Sequence, residues 1–451
     1  MQNNCFRFLL VGLLYGLTTS LSYAKTLELS LDQALATFYQ RNLDLIAAQY
    51  NIDQAQADAV IAAAIPNPSL GVQVAEISQN PNMGSAAVGC NHSSQVSCGP
   101  AEIYSFSQLI EVAGKRGLRI ESSGFATQAA ESDFRDAVRI FSNLVTDIYY
   151  ELVQAQQQHS LAKDIVEHYQ QIIKAHRLRL NSGDIAETEF LRVKLEATRS
   201  ESDLDNAQAT LSQAQAKLAW VLRWPDSGLV LQALPQWPVN QGAVQPSDPQ
   251  QLISQALNQR PDLQADKQRL EQAQKQLELA RRLKYPDVTV NGGYARDPSN
   301  NALNSFFVGV NLPLPVFYQY QGETDKAAVN LNQTRLAVEQ TELTIRNEVL
   351  AALATWQSAD KILSRFKEGL LIDAEAIRRS AELAYSKGAT SVLDLIEAER
   401  SYKTVMHDYY NAQINQTNAY YDLAKSLAEN LPKQSINSDS VSHLNQLSAA
   451  P

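Results

Sequence analysis

Residues that carry chemistry are scarce in this 451-residue sequence, which has 3 cysteines, 3 methionines and 6 histidines. It contains no His-Glu-x-x-His or Cys-x-x-Cys motif, and no two histidines lie four residues apart. We therefore predict no catalytic constellation, no cofactor and no metal site, and we expect a protein that is not an enzyme. We interpret His159, His168 and His176 as surface or packing residues. Beyond the first residue only Met83 and Met406 remain, too few for a ladder of soft ligands for Cu⁺ or Ag⁺.

Positive charge is also in deficit, because 38 Lys and Arg stand against 48 Asp and Glu and give a formal net charge of −10. A surface of this sign repels the phosphate backbone. Nucleic acid is therefore a poor partner for this chain.

Long apolar runs are missing except near the N-terminus. Arg7, the apolar run from Leu9 to Leu17 and small residues at Ser22 and Ala24 predict a secretory signal peptide over residues 1–24, although a buried first helix is the alternative. Cys5 precedes the apolar run, so we expect no lipid anchor. No later stretch reaches ~18 apolar residues, the length of a spanning helix. An exported chain of this kind is expected to be periplasmic or to cross the outer membrane as a β-barrel.

Two cysteines follow the signal peptide, Cys90 and Cys98, within a polar segment. In an oxidising compartment this pair predicts a disulfide. A metal site that also uses His92 is the alternative, although such sites usually need four ligands.

Matched spacings indicate an internal duplication. Leu45 precedes Pro68 by 23 positions, and Leu263 precedes Pro286 by the same number. Since the period is near 200 residues, it is too long for a solenoid unit and indicates a duplicated domain.

A second pair of anchors has the same property. Gly183 is followed six residues later by Glu189 and 23 residues later by Asn-Ala-Gln, while Gly388 is followed at the same distances by Asp394 and by Asn-Ala-Gln. Within each repeat we predict a helix, two strands, a long helix, a turn and a helix. The predicted segments are a signal peptide at 1–24, a first repeat at 25–223, a proline-rich linker at 224–249, a second repeat at 250–432 and a polar tail at 433–451.

The predicted helices are unusually long. Residues 119–181 and 323–386 contain no proline, and ~60 residues at 1.5 Å each give ~90 Å of helix. Helices of this length suit a coiled-coil assembly rather than an ordinary domain core. One coiled-coil seam, with steps of four and three, consists of Ile345, Val349, Ala352, Trp356, Ala359, Leu363 and Phe366.

Four short segments alternate between apolar and small or polar residues. Their apolar positions are Leu70, Val72, Val74, Tyr104, Phe106, Val288, Val290, Tyr294, Phe306, Val308, Val310 and Leu312. Strands of ~9–11 residues with one apolar face fit a tilted crossing of a bilayer, whereas a half-buried soluble sheet is the alternative. Because four strands cannot close a barrel, the membrane interpretation requires an oligomer.

With these parts located, the chain resembles the TolC family of outer-membrane factors over nearly its whole length after residue 24. The resemblance rests on the repeated Leu-x-x-Ala-Leu opening at Leu31–Leu35 and, with one extra residue, Leu252–Leu257. It also rests on Pro66-Asn67-Pro68 and on the turn Tyr385–Leu395.

This resemblance implies a mixed α and β membrane protein, internally duplicated, in the outer membrane of a Gram-negative cell. Long helices would form a coiled-coil barrel in the periplasm, and four strands from each chain would build a trimeric transmembrane β-barrel in contact with outer-membrane lipid. The implied function is a passive export duct, which works as a homotrimer with a periplasmic membrane-fusion adaptor and an inner-membrane RND pump.

A narrower resemblance lies at residues 107–117, which are similar to the strand-to-helix junction of the CzcC-like heavy-metal efflux branch. It implies export of cations such as cobalt, zinc and cadmium. Lys115, Arg116 and Arg119 would also lie at headgroup depth, so an interfacial anchor explains them without any role in substrate choice. Ducts for drug efflux or type I secretion remain alternatives, as does a periplasmic coiled-coil adaptor or structural protein.

Acidic residues near the turns are the candidate gate. Asp394 and Glu397 match by resemblance the acidic positions that narrow the family's periplasmic entrance, and Thr188 and Glu189 occupy the equivalent place in the first repeat. In a trimer they would form acidic rings that favour cations. The alternative is that Asp394 simply complements the dipole of its helix.

The turns themselves are candidate docking points for the adaptor. We expect Gly183 and Gly388 to adopt positive φ between antiparallel helices and to be exposed for docking, with Asp184 and Thr390 as the other docking residues of these turns. Thr390 stands where some family members carry an arginine that helps to tie the entrance shut, so this closing network is not expected here in its usual form.

Overall fold

The computed structural model describes residues 25–75, 101–224, 229–237, 248–297 and 303–429. The predicted signal peptide, the predicted Cys90–Cys98 disulfide and the polar tail 433–451 lie outside these described residues. The helices are α1 Leu31–Arg41, α2 Leu43–Ala63, α3 Lys115–Asn181, α4 Glu187–Val221, α5 Pro249–Gln259, α6 Pro261–Arg282, α7 Gln321–Arg365, α8 Leu371–Ser386 and α9 Val392–Leu427. The strands are β1 Lys25–Leu29, β2 Ser69–Ala75, β3 Ala101–Ile110, β4 Leu229–Ala233, β5 Val288–Asp297 and β6 Leu303–Asn311.

The same order of elements occurs twice in the chain. From α1 to α4 it runs through two helices, two strands, one long helix and one further helix, and the series from α5 to α9 repeats it. In the second series a π-helical turn, Phe366–Leu370, separates α7 from α8.

Local sequence signals explain where one helix of each series begins. The Ser30 hydroxyl accepts a hydrogen bond from the Gln33 amide at 3.2 Å, and the Gln33 side chain accepts one from the Ser30 amide at 3.0 Å. This capping box begins α1. Pro261 begins α6, where its missing N–H costs nothing and its fixed φ suits the first helical position.

The predicted seam of the long second-series helix is largely buried. Ile345, Val349, Trp356 and Leu363 are all buried along α7. Leu353 rather than Ala352 occupies the buried position between Val349 and Trp356, so the predicted step at Ala352 is wrong by one residue. The long helix α3 matches the prediction of an unbroken helix over 119–181.

Four of the strands form one antiparallel sheet in the order β2-β3-β5-β6. Leu70 lies opposite Phe106, and Phe306 lies opposite Tyr294, so the predicted apolar positions share one face. This face is open: Phe306 is 85% exposed and Val308 is 84% exposed. The predicted alternation is therefore present, and among the described residues no other part of the chain covers the apolar face.

The opposite face of the sheet carries mainly small and polar side chains, with Phe307 as a large apolar exception. Ser69 and Ser107 are cross-strand partners whose hydroxyls lie 2.7 Å apart. At Gly293 a Cβ would overlap the Tyr104 carbonyl and the Phe307 ring, so only glycine fits this position.

Strands β1 and β4 form a separate parallel pair that the sequence did not predict. Its two strands are anchored by long-range side-chain contacts: the Tyr149 hydroxyl lies 3.0 Å from the Leu29 carbonyl and 2.5 Å from the Leu234 carbonyl. Gln156 both donates to the Ala233 carbonyl and accepts from the Ala233 amide. One strand directly follows the predicted signal peptide and the other lies within the predicted linker.

The chain forms two compact units, each assembled from separate segments. The first comprises residues up to Leu43, Arg139–Pro249 and Val349 onward, and the second comprises Asp44–Val138 and Gln250–Glu348. The second unit contains the four-stranded sheet, and the first contains both helical turns. Within the described residues, none of the helices is both long and apolar enough to cross a membrane.

Candidate functional site

Both predicted glycine turns have the same backbone geometry. At the end of α3, Gly183 has a φ of +78°, its N–H donates to the Leu180 carbonyl at 3.0 Å, and the Asp184 N–H donates to the Arg179 carbonyl at 2.8 Å. This pair of bonds is a Schellman motif, which satisfies the last carbonyls of a helix.

The second turn repeats this geometry. Gly388 has a φ of +73°, its N–H donates to the Tyr385 carbonyl at 3.0 Å, and the Ala389 N–H donates to the Ala384 carbonyl at 2.8 Å. An added Cβ at Gly183 or Gly388 would meet open space. Glycine is therefore favoured by the positive φ rather than by crowding. The predicted positive φ at both turns is confirmed.

The two turns differ where the next helix begins. The Ser391 hydroxyl accepts from the Asp394 amide at 3.3 Å, and Asp394 Oδ2 accepts from the Ser391 amide at 3.1 Å. Thr390 also donates to Asp394 Oδ2, at 2.6 Å. The equivalent residue before α4 is Ala186, which has no hydroxyl and makes no side-chain cap.

This network sets the charge state of Asp394. Hydrogen bonds from Thr390, then from Ser391, hold the pKa of the Asp394 carboxyl below its usual value. The carboxylate is exposed and stays ionised at neutral pH. Asp394 therefore stabilises the start of α9, as in the alternative interpretation in which it serves its own helix. Because the carboxylate is also exposed to solvent, it remains available to cations.

The remaining predicted gate and docking residues are placed differently from one another. Glu397 lies on the exposed surface of α9, and Thr188 and Asp184 are exposed as well. Glu189 is half-buried because it turns toward Tyr385. The four predicted gate residues thus do not form one uniform set.

Tyr385 links the elements beneath the two turns. Its hydroxyl donates to Glu189 Oε1 at 2.7 Å and lies 2.6 Å from His176 Nε2, and the two rings stack with centroids 5.2 Å apart. Burial, followed by the hydrogen bond to Glu189, raises the pKa of Tyr385 to about 12. His176 is only 2% exposed and donates through Nδ1 to the Ile172 carbonyl. It is therefore a packing residue, as the sequence predicted.

A hydrophobic cluster supports this end of the first unit. Its buried members are Val193, Tyr385, Val392, Leu395 and Ile396, and Ile172 and Ile173 pack against it. It ties α3, α4, α8 and α9 together just behind the turns.

The three basic residues of the strand-to-helix junction each have a protein partner. Lys115 is 5% exposed and its Nζ lies 2.9 Å from Asp287 Oδ1. Arg116 donates to the Ala63 carbonyl, and Arg119 donates to both oxygens of Glu111. These contacts fix the junction within the second unit, and Lys115 has little surface left for a lipid headgroup.

A three-residue cluster lies outside every site that the sequence predicted. His168 of α3 lies with its Nε2 3.0 Å from Glu382 Oε1 of α8 and 2.9 Å from Glu399 Oε1 of α9. These donor atoms all lie within 4.8 Å of one another. Sequence reasoning missed the cluster because His168 lies more than 200 residues before the two glutamates. The glutamates themselves belong to two neighbouring helices and share no local motif with it.

The pKa values of His168 and Glu382 are both shifted within this cluster. The close contact with the Glu399 carboxylate raises the pKa of His168. Burial raises the pKa of Glu382, and the neighbouring imidazole partly offsets this rise. An imidazole between two carboxylates can carry a proton or, with both carboxylates ionised, a divalent cation. The arrangement therefore suits the binding of a proton or a cation.

Comparison with known proteins agrees with this architecture. The model of the outer membrane efflux protein family matches residues 34–222 and 252–429. The cobalt-zinc-cadmium resistance protein CzcC of Cupriavidus metallidurans is 25% identical over 383 residues, which cover 83% of this chain and 84% of that protein. The pyoverdine export outer membrane protein OpmQ of Pseudomonas putida is 24% identical over 420 residues, which cover 88% of this chain and 85% of that protein.

A solved structure shows the same fold. The Campylobacter jejuni CmeC outer membrane channel has a TM-score of 0.71 at 18% identity, over 92% of this chain and 88% of that one. The predicted fold class, a duplicated chain of long helices and a four-stranded sheet of the TolC type, is thereby confirmed. The chain belongs to the outer membrane efflux protein family and is an efflux channel of the outer membrane, not an enzyme.

Proposed function

We propose that this channel is the export duct of a tripartite RND-type efflux system for heavy-metal cations such as cobalt, zinc and cadmium. The observation that carries the proposal is the similarity to CzcC across more than four-fifths of both chains. The junction at residues 107–117 adds to it, because this segment has the pattern of the CzcC-like branch.

A homotrimer is part of the proposal. The sheet ends in two open edges, β2 and β6, and unpaired strand edges favour pairing with another chain. Three copies joined through these edges would bring the exposed apolar faces of Phe306 and Val308 against lipid. The small polar face carrying Ser69 and Ser107 would then line the duct.

The helical turns are proposed as the adaptor-docking end. Gly183, Asp184 and Gly388 are exposed at matching Schellman turns, and Thr390 is engaged with Asp394 beside the second. Two similar turns in each chain would present six similar surfaces in a trimer. A periplasmic membrane-fusion adaptor and an inner-membrane RND pump are the proposed partners.

We further propose that Asp394 and Glu397 form the cation-selective gate, with Thr188 and Glu189 contributing from the first repeat. Both acids lie on one side of the first two turns of α9 and are exposed. Repeated by a threefold axis they would focus a negative potential on the entrance, which favours cations.

Single-channel recording tests this gate. Replacing Asp394 and Glu397 by Ala should weaken cation selectivity and block by multivalent cations. Because Asp394 also caps α9, the sharper variant is Glu397→Gln, which leaves the cap intact. Asp205→Asn, an exposed acid on α4, is the matched control. Unchanged selectivity in both Glu397→Gln and the double variant would refute the ring.

Growth of a deletion strain tests the substrate. Loss of this channel should sensitise cells to zinc, cobalt and cadmium, with little change toward dyes and detergents, and the wild-type chain should restore resistance. The reverse pattern would instead favour drug efflux. Failure to secrete a protein or siderophore, with unchanged metal resistance, would favour the other export roles, including the one named in OpmQ.

A further inference from the structure

We propose that His168, Glu382 and Glu399 form a binding site for one divalent transition-metal ion of the Co²⁺ and Zn²⁺ class. The site lies between α3, α8 and α9 within the first unit and would exist whichever substrate the channel carries.

The spacing of the donor atoms suits a single ion. His168 Nε2 lies 2.9 Å from Glu399 Oε1 and 3.0 Å from Glu382 Oε1. Imidazole and carboxylate ligands bind such ions at ~2.0–2.2 Å, which places two ligand atoms of one ion roughly 3 Å apart. The three side chains therefore need only small rotations to accept a shared ion.

A second observation is that two of the donor atoms are buried and face each other within the cluster. His168 Nε2 and Glu399 Oε1 are both closed to solvent and form an ion pair at 2.9 Å, but within the described residues this contact lacks the geometry of a well-aligned hydrogen bond. Glu399 is only 4% exposed. A buried polar atom left unsatisfied destabilises the fold, so a ligand that binds both atoms is favoured.

The charges around the cluster match a divalent cation. Glu382 and Glu399 together supply two negative charges, and His168 can bind as the neutral imidazole. Arg378 is the competing cation, with its guanidinium 3.3 Å from Glu382 Oε1 and 4.0 Å from Glu399 Oε1. Its own countercharge is Glu375, to which Nη2 and Nε donate at 3.2 and 3.3 Å.

Arg378 is also held by packing, because its guanidinium lies 4.6 Å from the centre of the Tyr402 ring. These contacts keep the arginine at the margin of the cluster. Its Nη1 offsets part of the negative charge of the two carboxylates, and a divalent ion would share these oxygens with it.

The donor set decides the class of metal. One imidazole nitrogen with two carboxylate oxygens suits Zn²⁺, Co²⁺ and related ions. It lacks the thiolate or thioether sulfur that Cu⁺ and Ag⁺ prefer, and its imidazole is a poor ligand for Mg²⁺ or Ca²⁺. Water would complete the coordination shell from the side that remains open, where His168 and Glu382 are partly exposed.

The consequence for the molecule is a metal cross-link among three helices. Glu382 and Glu399 stand on either side of the Gly388 turn, and His168 belongs to the helix that ends at Gly183. A bound ion would restrain α8 and α9 against α3, close to the end where the turns lie.

Metal titration of the purified full-length channel in detergent tests the site. After chelator treatment and dialysis, Co²⁺ should give a saturable visible absorption band with one ion per chain, and Zn²⁺ should abolish the band by displacement. Glu399→Gln and His168→Asn should each weaken Co²⁺ binding at least ~10-fold. Glu167→Gln, an exposed acid next to His168, is the matched control and should bind as the wild type.

Glu382→Gln is the second variant in case the buried substitutions fail to fold, since Glu382 is partly exposed. Each variant is checked for wild-type helicity and trimer size. The absence of saturable Co²⁺ binding to the wild type would overturn the proposal. So would unchanged binding in folded Glu382→Gln or Glu399→Gln. Metal resistance of cells is a separate readout, so failure here leaves the proposed transport function untouched.

Discussion

Tyr385 is the residue that joins α8 to two other helices near the turns, through His176 of α3 and Glu189 of α4. The Tyr385→Phe variant keeps the ring stacking but leaves His176 Nε2 buried without this partner. We expect a loss of about 1–3 kcal/mol in unfolding free energy, the usual cost of an unsatisfied buried polar group. Denaturant unfolding followed by helical circular dichroism measures it.

Tyr402→Phe is the control for this prediction, because it removes the same atom from a ring whose centre lies 4.6 Å from the Arg378 guanidinium. Its loss should be clearly smaller. Equal destabilisation by the two substitutions would show that the Tyr385 hydroxyl contributes nothing specific.

The buried carboxyl of Asp147 should make the unfolding free energy depend on pH. Burial, followed by repulsion from Asp422, raises the pKa of the Asp147 carboxyl to about 6, although Asn143 donates to both carboxylates. The unfolded value is near 3.9, so between roughly pH 4 and pH 6 the folded state binds more protons. The stability that Asp147 contributes is therefore greatest at low pH and falls as pH rises through this window.

The Asp147→Asn variant should lack this decline. Because the Asp147 carboxyl is partly in contact with solvent, the gain should be small. We expect the unfolding free energy of the variant to exceed that of the wild type by only about 1 kcal/mol above pH 6.5. Thermal unfolding between pH 4 and pH 8 measures the difference. Asp164→Asn, an exposed acid on the same helix, should retain the wild-type profile. Parallel profiles for the wild type and Asp147→Asn would contradict this prediction.

For individual residues, the sequence predicted only features that depend on one residue and its neighbours along the chain. The positive φ of Gly183 and Gly388 followed from glycine at matched positions after long helices. The cluster of His168, Glu382 and Glu399 did not follow, because it depends on how three helices pack. The sequence showed the basic residues of the strand-to-helix junction. It did not predict that Lys115 pairs with Asp287, because these residues lie 172 positions apart.

Among the elements, the π-helical turn Phe366–Leu370 is the feature with the clearest consequence. The Leu371 N–H donates to the Phe366 carbonyl, five residues back, so the turn holds one residue more than an α-helix would. Deleting Gly369 should convert it to regular α-helix and keep the phase of both flanking helices. Deleting Ala351 from the middle of α7 should instead rotate all later buried positions by about 100°.

We therefore expect the Gly369 deletion to retain the proposed trimer and most of the thermal stability, whereas the Ala351 deletion should fail to assemble. Native gel mobility and thermal unfolding of the two proteins measure this. Failure of both deletions to the same degree would mean that the π-helical turn does not absorb the extra residue.

Elements with strong periodicity were predictable, and weakly patterned ones were not. Helix α3 and the sheet followed from proline-free length and from period-two alternation, which arise along a single segment. Strands β1 and β4 have five residues each and are stabilised by Tyr149 and Gln156 of a distant helix. No local pattern marks such a pair, so strand β4 was not predicted within the linker 224–249.

For the whole molecule, duplication explains why two matching turns and two strand pairs occur in one chain. The family and the fold follow from this architecture, whereas the substrate depends on side chains that the repeats do not share. Asp394 has its own capping network and Glu189 points instead to Tyr385, so the two halves of the proposed entrance differ in chemistry. The metal substrate is accordingly the central claim that most needs a direct measurement.

That measurement is the cellular content of zinc, cobalt and cadmium, determined by mass spectrometry in a deletion strain and in the same strain carrying the wild-type chain. The proposed function predicts several-fold higher metal content without the channel and return to normal when the chain is restored. Equal metal content in the two strains, together with accumulation of dyes or siderophore in the deletion strain, would contradict it.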